Sequence, residues 1–265
     1  MSVSEHPKEI AALIKRLKAE YPPGLGADDA LSCAATTPSP VDPSEPLLGE
    51  FLRSFLIWES TTIKAAAAMK RIEEAVVDFN ELRICFADEL SRVMGERYPR
   101  VEERALRLRA ALNEIYHREH SVTLEPLMAL GKREAKEYLD SLDGVPRFVS
   151  ARVCLLRLGA HTAPVDGRIC KRLIEAEITE PGATPDAAAG SLERKVHAGG
   201  MGEVYRLLQT WADDAPLNYS ETPVELPKRR PLRDVPSPNH NHDLQRKRMA
   251  AAKAAGREAR RKPAG

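Results

Sequence analysis

The 265-residue chain sets 40 Lys and Arg against 39 Asp and Glu, with 43% hydrophobic and 30% charged residues, enough apolar material to build a sizeable core in one or two domains. No apolar run reaches the length of a membrane span, the N-terminus MSVSEHPKEI lacks a signal-peptide core, and Cys33, Cys85, Cys154 and Cys170 show no metal-ligand spacing. Membrane-spanning, disulfide-scaffold and zinc-module classes are thereby excluded, and the expected compartment is reduced and cytoplasmic, nucleoid-associated if the source is bacterial.

In chain order, Ile10, Leu13, Ile14 and Leu17 mark an amphipathic first helix that stops at Tyr21-Pro22-Pro23 and is expected to dock. Residues 24–46 are rich in Pro, Gly, Ala, Ser and Thr and read as an extended link. From Leu47 the pattern is helical: LLGEFLRSFLIWE, TTIKAAAAMKRIEEAV and FADELSRVM, followed by Val101, Ala105, Leu108, Leu112 and Ile115 at helical spacing. Strand alternation is nearly absent, so the expected fold class is all-α.

REAKEYLDSL reads as a further helix, which Asp143, Gly144, Val145 and Pro146 stop while starting the next. Gly144 supplies the positive φ of a tight reversal, and Pro146 presets the φ of the following first turn. In that next helix Val149, Val153 and Leu156 share a stripe, and Gly159 is its stop. The unit is a helix-hairpin-helix. Asp166 then heads the amphipathic segment GRICKRLIEAE, where a carboxylate meets the positive end of a helix dipole. Two more helices follow, separated by Gly199, Gly200 and Gly202, a cluster that reads as an ordinary break because the strand and Lys-Ser/Thr of a nucleotide loop are missing.

Charge is unevenly spread. Residues 228–265 hold twelve Lys or Arg against three acids, a net +9, leaving 28 basic and 36 acidic side chains elsewhere, a net −8. The basic tail suits a polyanion, and equally a solvated extension. Its Pro, His and Asn content, without an apolar face, predicts disorder.

These residues together resemble the helix-hairpin-helix DNA glycosylases of the endonuclease III superfamily. LDGVP resembles the family's L-P-G-V-G hairpin, VDGRI its V-D-x-x-I signature, and WESTTIKAA its Q-Q-T-T-x-K-A segment, over roughly Leu47 to Ala212. The resemblance implies a two-lobed fold. Residues 1–46 would supply a docking helix and link, 47–158 a helical-barrel lobe with the hairpin, 159–222 a second lobe with Asp166 at the seam, and 223–265 a disordered basic tail.

By resemblance Asp166 is the catalytic carboxylate, and Gly144 and Val145 offer backbone amides to a phosphate. Glu59 and Ser60 stand where paired Gln probe the duplex, though Glu59 by itself reads as a solvated or capping carboxylate; from the hairpin helix Arg147 and Arg152 are candidate DNA-backbone contacts, and Lys171, with Arg172, is a candidate phosphate contact or a solvent-facing pair. Several positions depart from the pattern. Phe148 stands where bifunctional relatives carry a Schiff-base Lys, Phe55 where adenine-type relatives carry a Glu, and no Cys follows Cys170 to hold a [4Fe-4S] cluster. The expectation is a monomeric, monofunctional base-excision glycosylase acting on double-stranded DNA, without metal, cofactor or iron-sulfur cluster. Two alternatives stay open: a catalytically inactive helix-hairpin-helix DNA-binding protein, and a helical interaction scaffold whose tail meets an acidic partner or RNA. The lesion removed is not legible.

Overall fold

The computed structural model describes residues 6–22, 41 and 45–216. These form eleven α-helices and two 3-10 turns, with no strand among the described residues. The basic tail and most of the Pro-rich link lie outside them. No described helix is long and apolar enough to cross a membrane.

The centre is α2 (Pro46–Ile57), whose sequence PLLGEFLRSFLI is apolar except for Gly49, Glu50, Arg53 and Ser54, and the whole helix from Leu47 to Ile57 is buried. Around it pack α3 (Thr62–Ala75), α6 (Val101–Glu119) and α8 (Arg147–Leu158). The short helices α4 (Phe79–Ile84) and α5 (Ala87–Met94) lean on α6. Asp78 caps α4 by accepting from Glu81 N at 2.8 Å. Ala105, Leu108, Leu112 and Ile115 are buried along α6, as the spacing predicts, and Val101 at its start is half-buried.

The hairpin joins α7 (Lys132–Asp140) to α8. Gly144 has φ +77°, and α6 fastens the turn: Arg118 donates to Ser141 Oγ at 2.7 Å and to Ser141 O at 2.9 Å, and Arg107 donates to Gly144 O at 3.3 Å. A Cβ on Gly144 would stand 2.8 Å from the carbonyl oxygen of Arg107. Backbone cannot swing away as a side chain can, so we expect Gly144→Ala to cost roughly 2–3 kcal/mol, from clash and left-handed strain together. Urea unfolding checks this; a loss of a few tenths would show that the turn relaxes. Gly159, at φ 59°, ends α8 and lets Ala160 N reach back to Cys154 O at 2.9 Å.

Beyond it run α9 (Gly167–Glu175), α10 (Pro185–Lys195), a 3-10 turn over Ala198–Gly200 and α11 (Met201–Asp213). Gly199 and Gly200 form the helix break the sequence predicts, while Gly202 lies in the first turn of α11. The first helix, α1 (His6–Glu20), docks onto α11 through buried Ile10, Leu13 and Leu17, with Lys18 on Glu203 at 2.7 Å and Tyr21 Oη on Asp214 at 2.6 Å.

One expected DNA contact is corrected by the packing. Arg152 is 1% exposed and points into the core, where it pairs with Glu50, donates to Tyr205 Oη at 2.7 Å and to Ser54 Oγ at 3.1 Å. Glu50 also meets Arg53 at 3.1 Å and Arg157 at 3.3 Å. This network ties α2, α8 and α11 together. An arginine so placed cannot touch a phosphate backbone.

Candidate active site

The segment Trp58–Thr61 crosses from α2 to α3 and is held from two sides. On one, the buried Arg104 of α6 donates to Phe55 O, to Trp58 O at 2.5 Å and to Pro99 O at 3.1 Å. On the other, Arg168 of α9 donates to Ser60 O and Ala212 O, while Asp213 accepts from Thr62 N at 3.1 Å. Between these grips Glu59 takes a left-handed φ of 52°, uncommon for a residue with a Cβ and sustained by the surrounding bonds.

That conformation aims the Glu59 amide at Asp166. The Asp166 carboxylate accepts Ile169 N on Oδ1 at 2.9 Å, as the N-cap of α9, and Glu59 N on Oδ2 at 2.9 Å. In return Glu59 Oε1 accepts Gly167 N at 2.7 Å. The two acids clasp each other through backbone amides across the seam between α2–α3 and α9. A Cβ at Gly167 would lie 2.8 Å from Glu59 Oε1, so a larger residue there would push the end of the Glu59 side chain away from the Gly167 amide.

Electrostatics follow from this closeness. Burial raises the pKa of Asp166, against the opposing pull of the Ile169 and Glu59 amides and of Arg168. Burial, and then the Asp166 charge, push Glu59 up to about 7, with the Gly167 amide, Arg100 and Arg104 working the other way. A carboxyl whose pKa is raised on folding stabilises the fold fully below its unfolded value of 4.5, and that contribution is lost as pH rises through about 7. Glu59→Gln, neutral throughout, is therefore expected to gain in Tm relative to wild type between about pH 5 and pH 8. Parallel thermal melts check this, and a pH-independent gap would contradict it.

The expected site residues distribute unevenly. Asp166 and Glu59 come together; Ser60 does not reach a ligand surface, being wholly buried with its carbonyl on Arg168, which corrects its expected role as a duplex probe. In the hairpin Gly144 is buried and Val145 N is turned back to Leu142 O at 3.4 Å, which corrects the expectation that both amides are presented to a phosphate. Arg147 is exposed and meets Asp186 at 3.4 Å. Lys171 is exposed, 4.0 Å from Glu175. Phe148 is buried, edge-on to Tyr205 with ring centroids 6.3 Å apart. It helps line a cavity of about 120 Å³ with Arg147, Ala151, Ala163, Val165 and Asp186.

Sequence reasoning missed Arg104, Arg168, Gly167 and Asp213. Arg104 carried a signal, since a basic residue on the same face as Leu108 and Ile115 has no solvent to reach. Arg168 and Gly167 sat inside VDGRI.

The chain was compared with proteins of known structure. Over 77% of its length it superposes on 84% of the chain in a trapped endonuclease III–DNA covalent intermediate, an estranged-adenine complex, with a TM-score of 0.56 and 11% sequence identity. The fold is that of endonuclease III. No protein-family model matches the sequence, and no curated protein matches it. On this endonuclease III fold, two sequence segments far apart in the chain, WESTTIKAA and VDGRI, are brought into direct hydrogen-bonded contact.

Proposed function

We propose that the chain is a DNA N-glycosylase that releases a flipped, damaged or mismatched base from double-stranded DNA by hydrolysis. The observation that carries this is the clasp at the seam, which fixes a buried carboxylate at a helix N-terminus in a fold shared with a DNA-bound endonuclease III. As the base leaves, the sugar gains oxocarbenium character, and a rigid carboxylate beside the anomeric carbon stabilises that charge without reorganising. Flipping the base costs about a few kcal/mol, least at damaged or mismatched pairs. In this reading the exposed Arg147, beside the hairpin turn, takes the flanking phosphate, whereas Gly144 is buried. Phe148 offers no amine, so the reading is monofunctional, needing neither metal nor cluster, in a monomer acting on the cell's own DNA.

A second reading, a duplex-binding module without chemistry, draws on the 3% exposure of Asp166. One panel separates the two. Duplexes carrying oxidised, alkylated, deaminated or mismatched bases are incubated with the protein and read with and without alkali. Strand breaks appearing only after alkali are expected. Breaks without alkali would overturn monofunctional chemistry, and silence with intact duplex binding would favour the second reading.

A further inference from the structure

We propose that Glu59 is the general base of this site, taking the proton from the attacking water while Asp166 stabilises the charge on the sugar. The proposal rests on the glycosylase reading above and divides the work of that site between two acids. Its ground is hydrogen-bonding capacity. Each oxygen of Asp166 already accepts a backbone amide, at 2.9 Å in both cases, and the residue is 3% exposed. A general base needs a lone pair within hydrogen-bond reach of the proton it removes. Each Asp166 oxygen keeps a second lone pair, but at 3% exposure little water reaches it; Glu59 offers a wholly unengaged oxygen, since Oε1 accepts Gly167 N, Oε2 has no hydrogen-bond partner among the described residues, and the residue is only partly buried. The amide of Glu59 is bound to Asp166 and its Oε1 to the neighbouring Gly167 N, so the two acids are held side by side.

The charged and titratable groups around Glu59 are Asp166, Arg100 and Arg104, with Cys170 also within its field. Arg168 and Asp213 pack on the neighbouring Ser60 and Thr62. In this setting Glu59 titrates near 7, where a base can be both ionised and strong enough to act. In the proposed step the water oxygen bonds to the anomeric carbon and the C–N bond breaks, its electron pair leaving with the base. The water's proton passes to Glu59 Oε2, and the departing base takes a proton from solvent. Glu59 then returns its proton to solvent. One water is consumed, giving free base and a 1′-hydroxyl sugar.

The test is single-turnover base release by the full chain from about pH 5 to pH 9, for wild type, Glu59→Gln, Glu59→Asp and Asp166→Asn, with duplex binding in parallel. Gln retains an oxygen for Gly167 N, so the clasp can survive. Wild type should rise with pH to a plateau above about 7. Glu59→Gln should lose that limb and fall roughly 100- to 10,000-fold on the plateau, binding duplex as before. Glu59→Asp, still ionisable, should keep a limb at reduced rate, which a merely structural role would not preserve. Wild-type rate and limb in Glu59→Gln, with Asp166→Asn silent, would overturn the role of Glu59 and leave the glycosylase reading standing. Should Glu59→Gln fail to fold, Glu59→Asp decides: a profile superposable on wild type overturns the proposal, and a displaced limb supports it. No base release by wild type on any duplex would overturn both.

Discussion

On the proposed glycosylase reading, Asp166→Asn is expected to lower base release by roughly 100- to 1000-fold, the scale found when one preorganised electrostatic partner of a transition state is removed, with folding and duplex binding kept. The fold survives because Asn is itself a good N-cap, and its oxygen keeps the amide of Ile169. The loss falls on the other side of the group, where the amide nitrogen of Asn would face Glu59 N, donor against donor. An unpaired buried N–H costs about 1–3 kcal/mol. Removing a charge that burial already disfavours offsets part of that. Chemistry is therefore expected to suffer far more than stability, and single-turnover kinetics beside urea unfolding will separate them. Retained turnover in Asp166→Asn would eliminate this carboxylate as the group on which the reaction depends.

Glu50→Ala is expected to be the most destabilising single change in the core, at about 3–5 kcal/mol, the range for removing one partner of a buried charge pair. Arg53, Arg152 and Arg157 all meet this one carboxylate. Burial works to raise the pKa of Glu50, and Arg152, Arg53 and Arg157 together outweigh it, leaving the group below the ordinary glutamate range. Its stabilising contribution is accordingly present above an ordinary glutamate pKa and is lost as pH falls below it. The penalty comes mainly from the guanidiniums left behind. Replacing Glu50 and Arg152 together by apolar residues should thus cost less than the single change. Chemical denaturation of both variants tests this. A loss below about 1 kcal/mol for Glu50→Ala would mean that the arginines reach water or other acids.

Most of what the sequence determined is local. Helical spacing placed α6 and α8, whose apolar positions repeat every three or four residues. Turn chemistry placed the hairpin, because Gly144 and Gly159 alone suit a left-handed backbone at those stops. A carboxylate at the head of an amphipathic run made Asp166 an N-cap, and resemblance made it a candidate for chemistry. Such signals act within one or two helical turns, so one stretch of chain suffices to read them. The partner of a buried charge is a different kind of fact. Asp166 and Glu59 meet across 107 residues, and Arg152 meets Glu50 across 102. The helix face that marked Arg104 as inward also marks Arg152, which lies three residues after Val149 and four before Leu156, but no local signal names the acid that such an arginine meets. Only packing decided that Arg152 meets Glu50, that Ser60 turns inward, that Arg104 and Arg168 hold the Glu59 turn, and that two acids share one seam. Burial then set the protonation of that pair, because the cost of charge depends on how much water the assembled fold leaves around it.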